Sequence, residues 1–71
     1  MKMSEMDERL QGTITNKLAG YGFIRADEQD YFFHKSEVKG GFFNALEAGM
    51  EVDFIPDRDM KGPRATEINV K

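Results

Sequence analysis

The chain has 71 residues, a formal net charge of −3 at neutral pH and no cysteine. This length allows one small domain with a thin hydrophobic core. Without cysteine, neither disulfides nor thiolate metal sites can support the fold. No segment approaches the roughly 20 apolar residues of a membrane-spanning helix, and residues 1–11 are charged rather than apolar. We therefore expect a cytoplasmic monomer with neither a signal peptide nor a membrane span.

The chain divides into a short charged extension and one domain. Residues 1–11 carry charged residues and methionines but no turn signal. Chain termini of this kind are usually poorly ordered. We expect a flexible N-terminal extension over residues 1–11 and a folded domain over residues 12–71.

Short segments rich in β-branched and aromatic residues follow at regular intervals and predict strands. They cover residues 12–15, 21–26, 30–34, 50–55 and 64–70. Between them we expect a helical turn capped by Ser36, a second turn near residues 44–48, and a hairpin loop at residues 57–62. Pro56 should end the fourth strand or mark a sheet edge. Five antiparallel strands with one longer connection predict an all-β, five-stranded barrel.

Alternation along these strands separates an apolar face from a face of rings. The predicted inner residues are Ile14, Ile24, Phe33, Val52 and Phe54. Because alternate strand residues point to opposite faces, the outer face receives Tyr21, Phe23, Phe32 and His34. Rings displayed on a sheet are typical of a stacking surface for unpaired nucleic-acid bases. The alternative interpretation, that these rings belong to the core, is disfavoured because the inner face is already filled.

The charge distribution is compatible with such a surface, although the net acidity argues mildly against a polyanionic partner. Basic residues lie within or beside the ring segments at Lys17, Arg25, Lys35 and Lys39, and in a later loop at Arg58, Lys61 and Arg64. The later three could contact phosphate or belong to an ordinary solvated hairpin.

Four ordered segments resemble the cold-shock domain, a family with the OB-fold. Residues 19–24 (Ala-Gly-Tyr-Gly-Phe-Ile) and 31–35 (Tyr-Phe-Phe-His-Lys) are similar to its two ribonucleoprotein motifs. Residues 43–49 and 61–65 resemble the loop before its fourth strand and the start of its last strand. The resemblance spans residues 12–70 and implies a five-stranded antiparallel OB-fold barrel. It also implies contacts to single-stranded RNA or DNA at Tyr21, Phe23, Phe32, His34 and Phe43.

The chain departs from the family pattern at its first loop. The family usually carries Lys-Trp-Phe-Asn after the first strand, whereas this chain has Thr15-Asn16-Lys17-Leu18 and is about two residues shorter there. The last ring of the second motif is replaced by Lys35. Base stacking contributes roughly 1–3 kcal/mol per base, so we expect weaker or more selective binding than in a typical member. Lys17 and Lys35 would restore some attraction for phosphate.

The resulting functional hypothesis is a module that binds single-stranded nucleic acid. It would act as an RNA chaperone of the cold-shock type, by passive binding and without ATP. The alternative is an OB-type module whose rings meet another protein. We expect no catalytic residues, no metal and no small-molecule cofactor. His34 is the single histidine of the chain, and it has no predicted ligand partners. Phe42 is expected to cover an end of the barrel.

Overall fold

The computed structural model describes residues 9–71, which contain six strands and two 3₁₀ turns. The strands are β1 (Leu10–Lys17), β2 (Tyr21–Ala26), β3 (Gln29–His34), β4 (Val38–Gly40), β5 (Glu51–Asp59) and β6 (Gly62–Val70). The 3₁₀ turns are Lys35–Glu37 and Phe43–Ala45. No helix within these residues is long and apolar enough to cross a membrane. The expected flexibility of residues 1–8 falls outside the described part.

The strands form one sheet that closes into a barrel. Their order is β3-β2-β1-β5-β6-β4, and an additional pairing of β3 with β6 closes the sheet. The pairs β1–β2, β2–β3, β1–β5 and β5–β6 are antiparallel, whereas β3 and β4 each pair with β6 in parallel. The expected all-β OB-fold barrel is confirmed. The short β4 and the parallel pairings were not predicted; they arise because closure brings β6 beside strands that do not adjoin it in sequence.

The predicted apolar face forms the barrel core. Ile14, Ile24, Phe33, Val52 and Phe54 are each at most 1% exposed. Each such side chain stabilises the fold by about 1.5–3 kcal/mol when fully buried. The same cluster also contains four further buried residues: Ala26, Leu46, Ala65 and Ile68. The inward half of the alternation is therefore confirmed, and the outer face remains available for function.

The described barrel begins at Leu10, two residues before the expected domain boundary at residue 12. Arg9 holds this start against two other strands. Its Nε donates to Asp53 Oδ1 at 2.8 Å, and its Nη2 donates to the Asp53 carbonyl at 3.2 Å. The same Nη2 also donates to the carbonyl of Glu67. Residues 9–11 thus belong structurally to the barrel rather than to the extension.

The fourth predicted strand continues past Pro56, so of the two expected roles of this proline, ending the strand is wrong and marking a sheet edge fits the described barrel. β5 runs to Asp59, and β6 begins at Gly62, so the expected loop shrinks to a tight turn. β1 pairs with β5 only as far as Leu10 opposite Phe54, so Pro56 has β6 as its one neighbouring strand in the described barrel. Proline is tolerated on such an edge because no neighbouring strand there requires a hydrogen bond from a backbone N–H, which proline lacks.

Candidate nucleic-acid interface

The paired strands β2 and β3 present rings on the outer face of the barrel. Phe23 lies opposite Phe32, and Tyr21 lies opposite His34. Directly opposed residues share a face of the sheet. Tyr21 and Phe32 are each 36% exposed, Phe23 is half-buried and His34 is exposed. We call these four residues the outer ring cluster.

The rings of the outer ring cluster are tilted against one another. The Tyr21 and Phe32 centroids are 5.6 Å apart with planes inclined by 36°. Phe23 meets Tyr21 and Phe32 edge to face, at 6.2 and 5.9 Å respectively. Such edge-to-face packing is a favourable arrangement of aromatic pairs. The surface is therefore corrugated rather than flat, with the rings of Tyr21 and Phe32 partly exposed on it.

Packing beneath the cluster requires a glycine in β2. A side chain at Gly22 would place its Cβ 2.7 Å from the Asn16 carbonyl and 2.8 Å from the Phe33 ring. Both separations are far below van der Waals contact. Gly22 thus lets the buried Phe33 ring lie directly under the strand that carries Tyr21 and Phe23.

A row of side chains crosses four strands through the centre of the cluster. Asn16 lies opposite Phe23, Phe23 opposite Phe32, and Phe32 opposite Arg64. Asn16 thus occupies the end of the row on β1, beyond a register shift between Ile14 and Asn16. This row places Asn16 of β1 and Arg64 of β6, which are distant in sequence, at the two ends of one candidate surface.

His34 is oriented by the 3₁₀ turn that follows it. The backbone N–H of Ser36 donates to His34 Nδ1 at 3.1 Å, so His34, and not Ser36 as expected, caps the turn. Because Nδ1 accepts a hydrogen bond, the neutral imidazole carries its proton on Nε2. The ring is thereby held with one N–H donor on the nitrogen remote from the turn.

Lys17, Lys35 and Phe43 lie together beside the cluster. They help to line a cavity of about 590 Å³ with Leu18, Ala19, Gly20 and Asn44. Lys17 Nζ is 5.2 Å from the centroid of the Phe43 ring and donates to the carbonyls of Phe43 and Asn44, both at 3.3 Å. Lys17 therefore ties the end of β1 to the second 3₁₀ turn, and part of its hydrogen-bonding capacity is already used.

Phe43 is partly a core residue. Its half-buried ring meets Phe33 edge to face at 6.2 Å. The neighbouring Phe42 is 80% exposed. The expectation that Phe42 would cover the barrel end is wrong, because Phe43 packs against the core cluster instead.

Both predicted arginines are paired with aspartates that the sequence reasoning missed. Arg25 Nη1 lies 3.3 Å from Asp30 Oδ1, and Arg64 Nη1 lies 3.0 Å from Asp59 Oδ2. The Lys61 backbone N–H, and then the Arg64 guanidinium, hold the pKa of Asp59 below its ordinary range. The pairing register of each hairpin is the signal that could have indicated these ion pairs. Arg25 lies opposite Asp30 in the β2–β3 hairpin. In the β5–β6 hairpin, Arg64 lies opposite Asp57, which is two residues from Asp59.

Lys61 lies near the Arg64 end of the row. Lys61 and Arg64 help to line a second cavity, of about 350 Å³, whose other residues are Phe32, Asp59, Gly62 and Pro63. Across residues 9–71, no carboxylate lies within ion-pair distance of Lys35 or Lys61. No group of three or more potential metal-ligating residues occurs in the same part of the chain.

Comparison with known proteins identifies similar sequences and a similar structure. The family described as 'Cold-shock' DNA-binding domain matches residues 10–71. A cold shock-like protein CspA of Bordetella pertussis is 40% identical over 57 residues, covering 78% of this chain and 85% of that protein. The cold shock protein CapB of Pseudomonas syringae pv. tomato is 35% identical over 68 residues, covering 92% and 99%.

The structural match extends the comparison to a longer chain. A solved structure described as drosophila Unr CSD456 superposes with a TM-score of 0.74 at 28% sequence identity. The alignment covers 90% of this chain and 27% of that chain. The barrel described above is therefore shared with a domain-sized part of a larger protein.

Proposed function

This chain belongs to the cold-shock domain family, and from that membership and its outer ring cluster we propose that it binds single-stranded RNA or DNA. The observation that carries the proposal is the exposure of Tyr21 and Phe32 beside Phe23 on one face of the barrel. Bases unstacked from each other would stack on these rings, and nearby lysines would attract the phosphates. Specificity would be loose because every base has a π-face.

The proposed activity as an RNA chaperone is passive. A protein that binds only the single-stranded form shifts a hairpin toward its open form by mass action. No chemical step, cofactor or ATP enters this mechanism. A hairpin with a fluorophore and a quencher at its ends should brighten as protein is added, in proportion to the fraction bound. Unchanged fluorescence despite binding of an unstructured strand would reject the chaperone role and retain the binding role.

The proposed surface can be tested by NMR titration with a short pyrimidine-rich strand. Amides of residues 20–25 and 31–35 should shift, because they belong to the strands that carry the rings. Amides of residues 51–55 in β5 serve as the internal control and should shift little. Shifts confined to another face of the barrel, or no shifts at all, would contradict the proposal.

A protein partner is the second candidate function. The acidic balance of −3 and the pairing of both arginines with aspartates leave few cations at the rings for phosphate. Exposed aromatics also suit a protein interface. The same titration separates the candidates, since a protein-binding module would leave the amides of residues 20–25 and 31–35 unshifted by the strand.

A further inference from the structure

At one end of the cross-strand row, the Phe32 ring of the outer ring cluster lies beside the guanidinium of Arg64. Arg64 lies opposite Phe32, and both line the cavity of about 350 Å³. Their inner neighbours in sequence, Phe33 and Ala65, are fully buried. The guanidinium is therefore placed on the same outer face as the Phe32 ring, beside the position where a stacked base would lie.

The Arg64 side chain is held by an ion pair with Asp59. Its Nη1 donates to Asp59 Oδ2 at 3.0 Å, and Asp59 in turn accepts the Lys61 backbone N–H at 2.8 Å. Its Nε is buried and has no hydrogen-bond partner, and the side chain is 28% exposed. Arg25, the other arginine of this face, is 53% exposed and pairs at a longer 3.3 Å. Arg64 thus presents its remaining N–H donors from a defined position.

We propose that Arg64, oriented by Asp59, reads guanine in a base stacked on Phe32; this rests on the proposed binding of single strands. Guanine carries two adjacent acceptors, O6 and N7, on one edge, and arginine binds that edge with two hydrogen bonds. Adenine offers N7 beside an amino donor and cannot accept both bonds. Cytosine also has two adjacent acceptors, O2 and N3, but its single ring covers less of the Phe32 face.

The ion pair favours a base edge over a phosphate as the ligand of Arg64. A phosphate at this guanidinium would lie close to the Asp59 carboxylate and be repelled by it. A base edge is neutral and meets no such repulsion. Lys35 and Lys61, which have no carboxylate within ion-pair distance among residues 9–71, are better placed to hold phosphates.

The proposal is tested by the affinity of the protein for oligothymidine strands with one substituted base, scanned along the strand. Guanine at one position should tighten binding about tenfold over adenine there, at the lower end of what a bidentate arginine contact provides. Hypoxanthine, which keeps O6 and N7, should retain the gain. 7-Deazaguanine, which lacks N7, should lose it.

Variants assign the effect to the residue. Arg64→Gln should abolish the guanine preference, so that guanine-substituted and adenine-substituted strands bind with equal affinity. Arg64→Lys keeps the positive charge but lacks the planar guanidinium, so it should also abolish the guanine preference. This variant replaces Arg64→Gln in the test if Arg64→Gln does not fold. Arg25→Gln is the matched control, since Arg25 forms a similar ion pair on the same face, and should retain the preference.

Three results would overturn the inference while leaving single-strand binding intact. The first is equal affinity for guanine-substituted and adenine-substituted strands. The second is a preference for cytosine. The third is a loss of affinity in Arg64→Gln that is the same for every strand and comes with a shallower salt dependence of binding. The last result would mean a phosphate contact. Absence of binding to every strand would instead overturn the proposed function and this inference together.

Discussion

Phe32 and Phe33 are adjacent in sequence and have opposite surroundings. Phe33 is fully buried under Gly22, whereas Phe32 is 36% exposed. Phe32→Ala should weaken single-strand binding by roughly 1–3 kcal/mol because one stacking face is lost. Its effect on thermal stability should be small. Fluorescence anisotropy with a labelled strand measures the first quantity, and a thermal melt measures the second.

The matched variant is Phe33→Ala, which removes a ring from the inner face one position along. It should destabilise the fold by about 3–5 kcal/mol through loss of buried area and the cavity left behind. A Phe32→Ala protein that is strongly destabilised but binds normally per folded molecule would place that ring in the core. The stacking proposal would then be wrong.

The alternation of apolar and polar residues along the strands predicted which side chains point inward, because burial of the inner face fixes the register of every strand. It did not predict how the outer side chains pair. Arg25 with Asp30 and Arg64 with Asp59 meet across tight turns whose lengths set the register. The sequence-based turn at residues 57–62 was too long to bring Asp59 and Arg64 together. The charge of the ring face was therefore overestimated from the sequence.

At the scale of elements, the β2–β3 hairpin turns through two residues in the left-handed region. Asp27 and Glu28 have φ of 54° and 63°, as a two-residue hairpin of type I′ requires. Asp-Gly is the preferred pair there, so Glu28→Gly should stabilise the barrel by roughly 0.5–1 kcal/mol. The melting temperature should rise by several degrees. The control Gln29→Gly, in β3 itself, should lower it; a fall for Glu28→Gly would contradict the turn geometry.

Asn16 lies opposite Phe23 near the end of β1, at the end of the cross-strand row. Asn16→Trp should add a ring to the outer ring cluster and tighten single-strand binding by about 1 kcal/mol or more. Asn16→Leu is the control, because it adds apolar surface without a stacking face. Equal affinities for the two variants, both shown to be folded, would mean that this position does not contact bases.

The five long strands could be predicted from periodicity and turn residues, but three features of the elements could not. β4 has three residues, too few for a periodic signal. β5 continues past Pro56, where β6 is the one strand that pairs with it among residues 9–71. β1 begins at Leu10 because Arg9 is held by Asp53 and Glu67, contacts that span more than 40 residues of sequence. Each feature depends on closure of the barrel.

At the scale of the whole molecule, acidity and pairing limit the charge available to a nucleic acid. The net charge is −3, and Arg9, Arg25 and Arg64 all form ion pairs within residues 9–71. Lys17 is engaged with two carbonyls. We therefore expect this surface to make two or three contacts to phosphates. If the proposed function is correct, stacking rather than charge should then supply most of the affinity.

The salt dependence of binding to a single strand and to the matching duplex tests this central claim most directly. Log affinity against log salt falls by about 0.7 per phosphate contact for single strands, so two or three contacts give a slope of roughly −1.4 to −2.1. We expect a slope in this range for the single strand, and poor binding of the duplex, whose stacked bases expose no faces to Tyr21 and Phe32. Equal affinity for both forms with a steep slope would show that the partner is held by charge, and would contradict base stacking on the outer ring cluster.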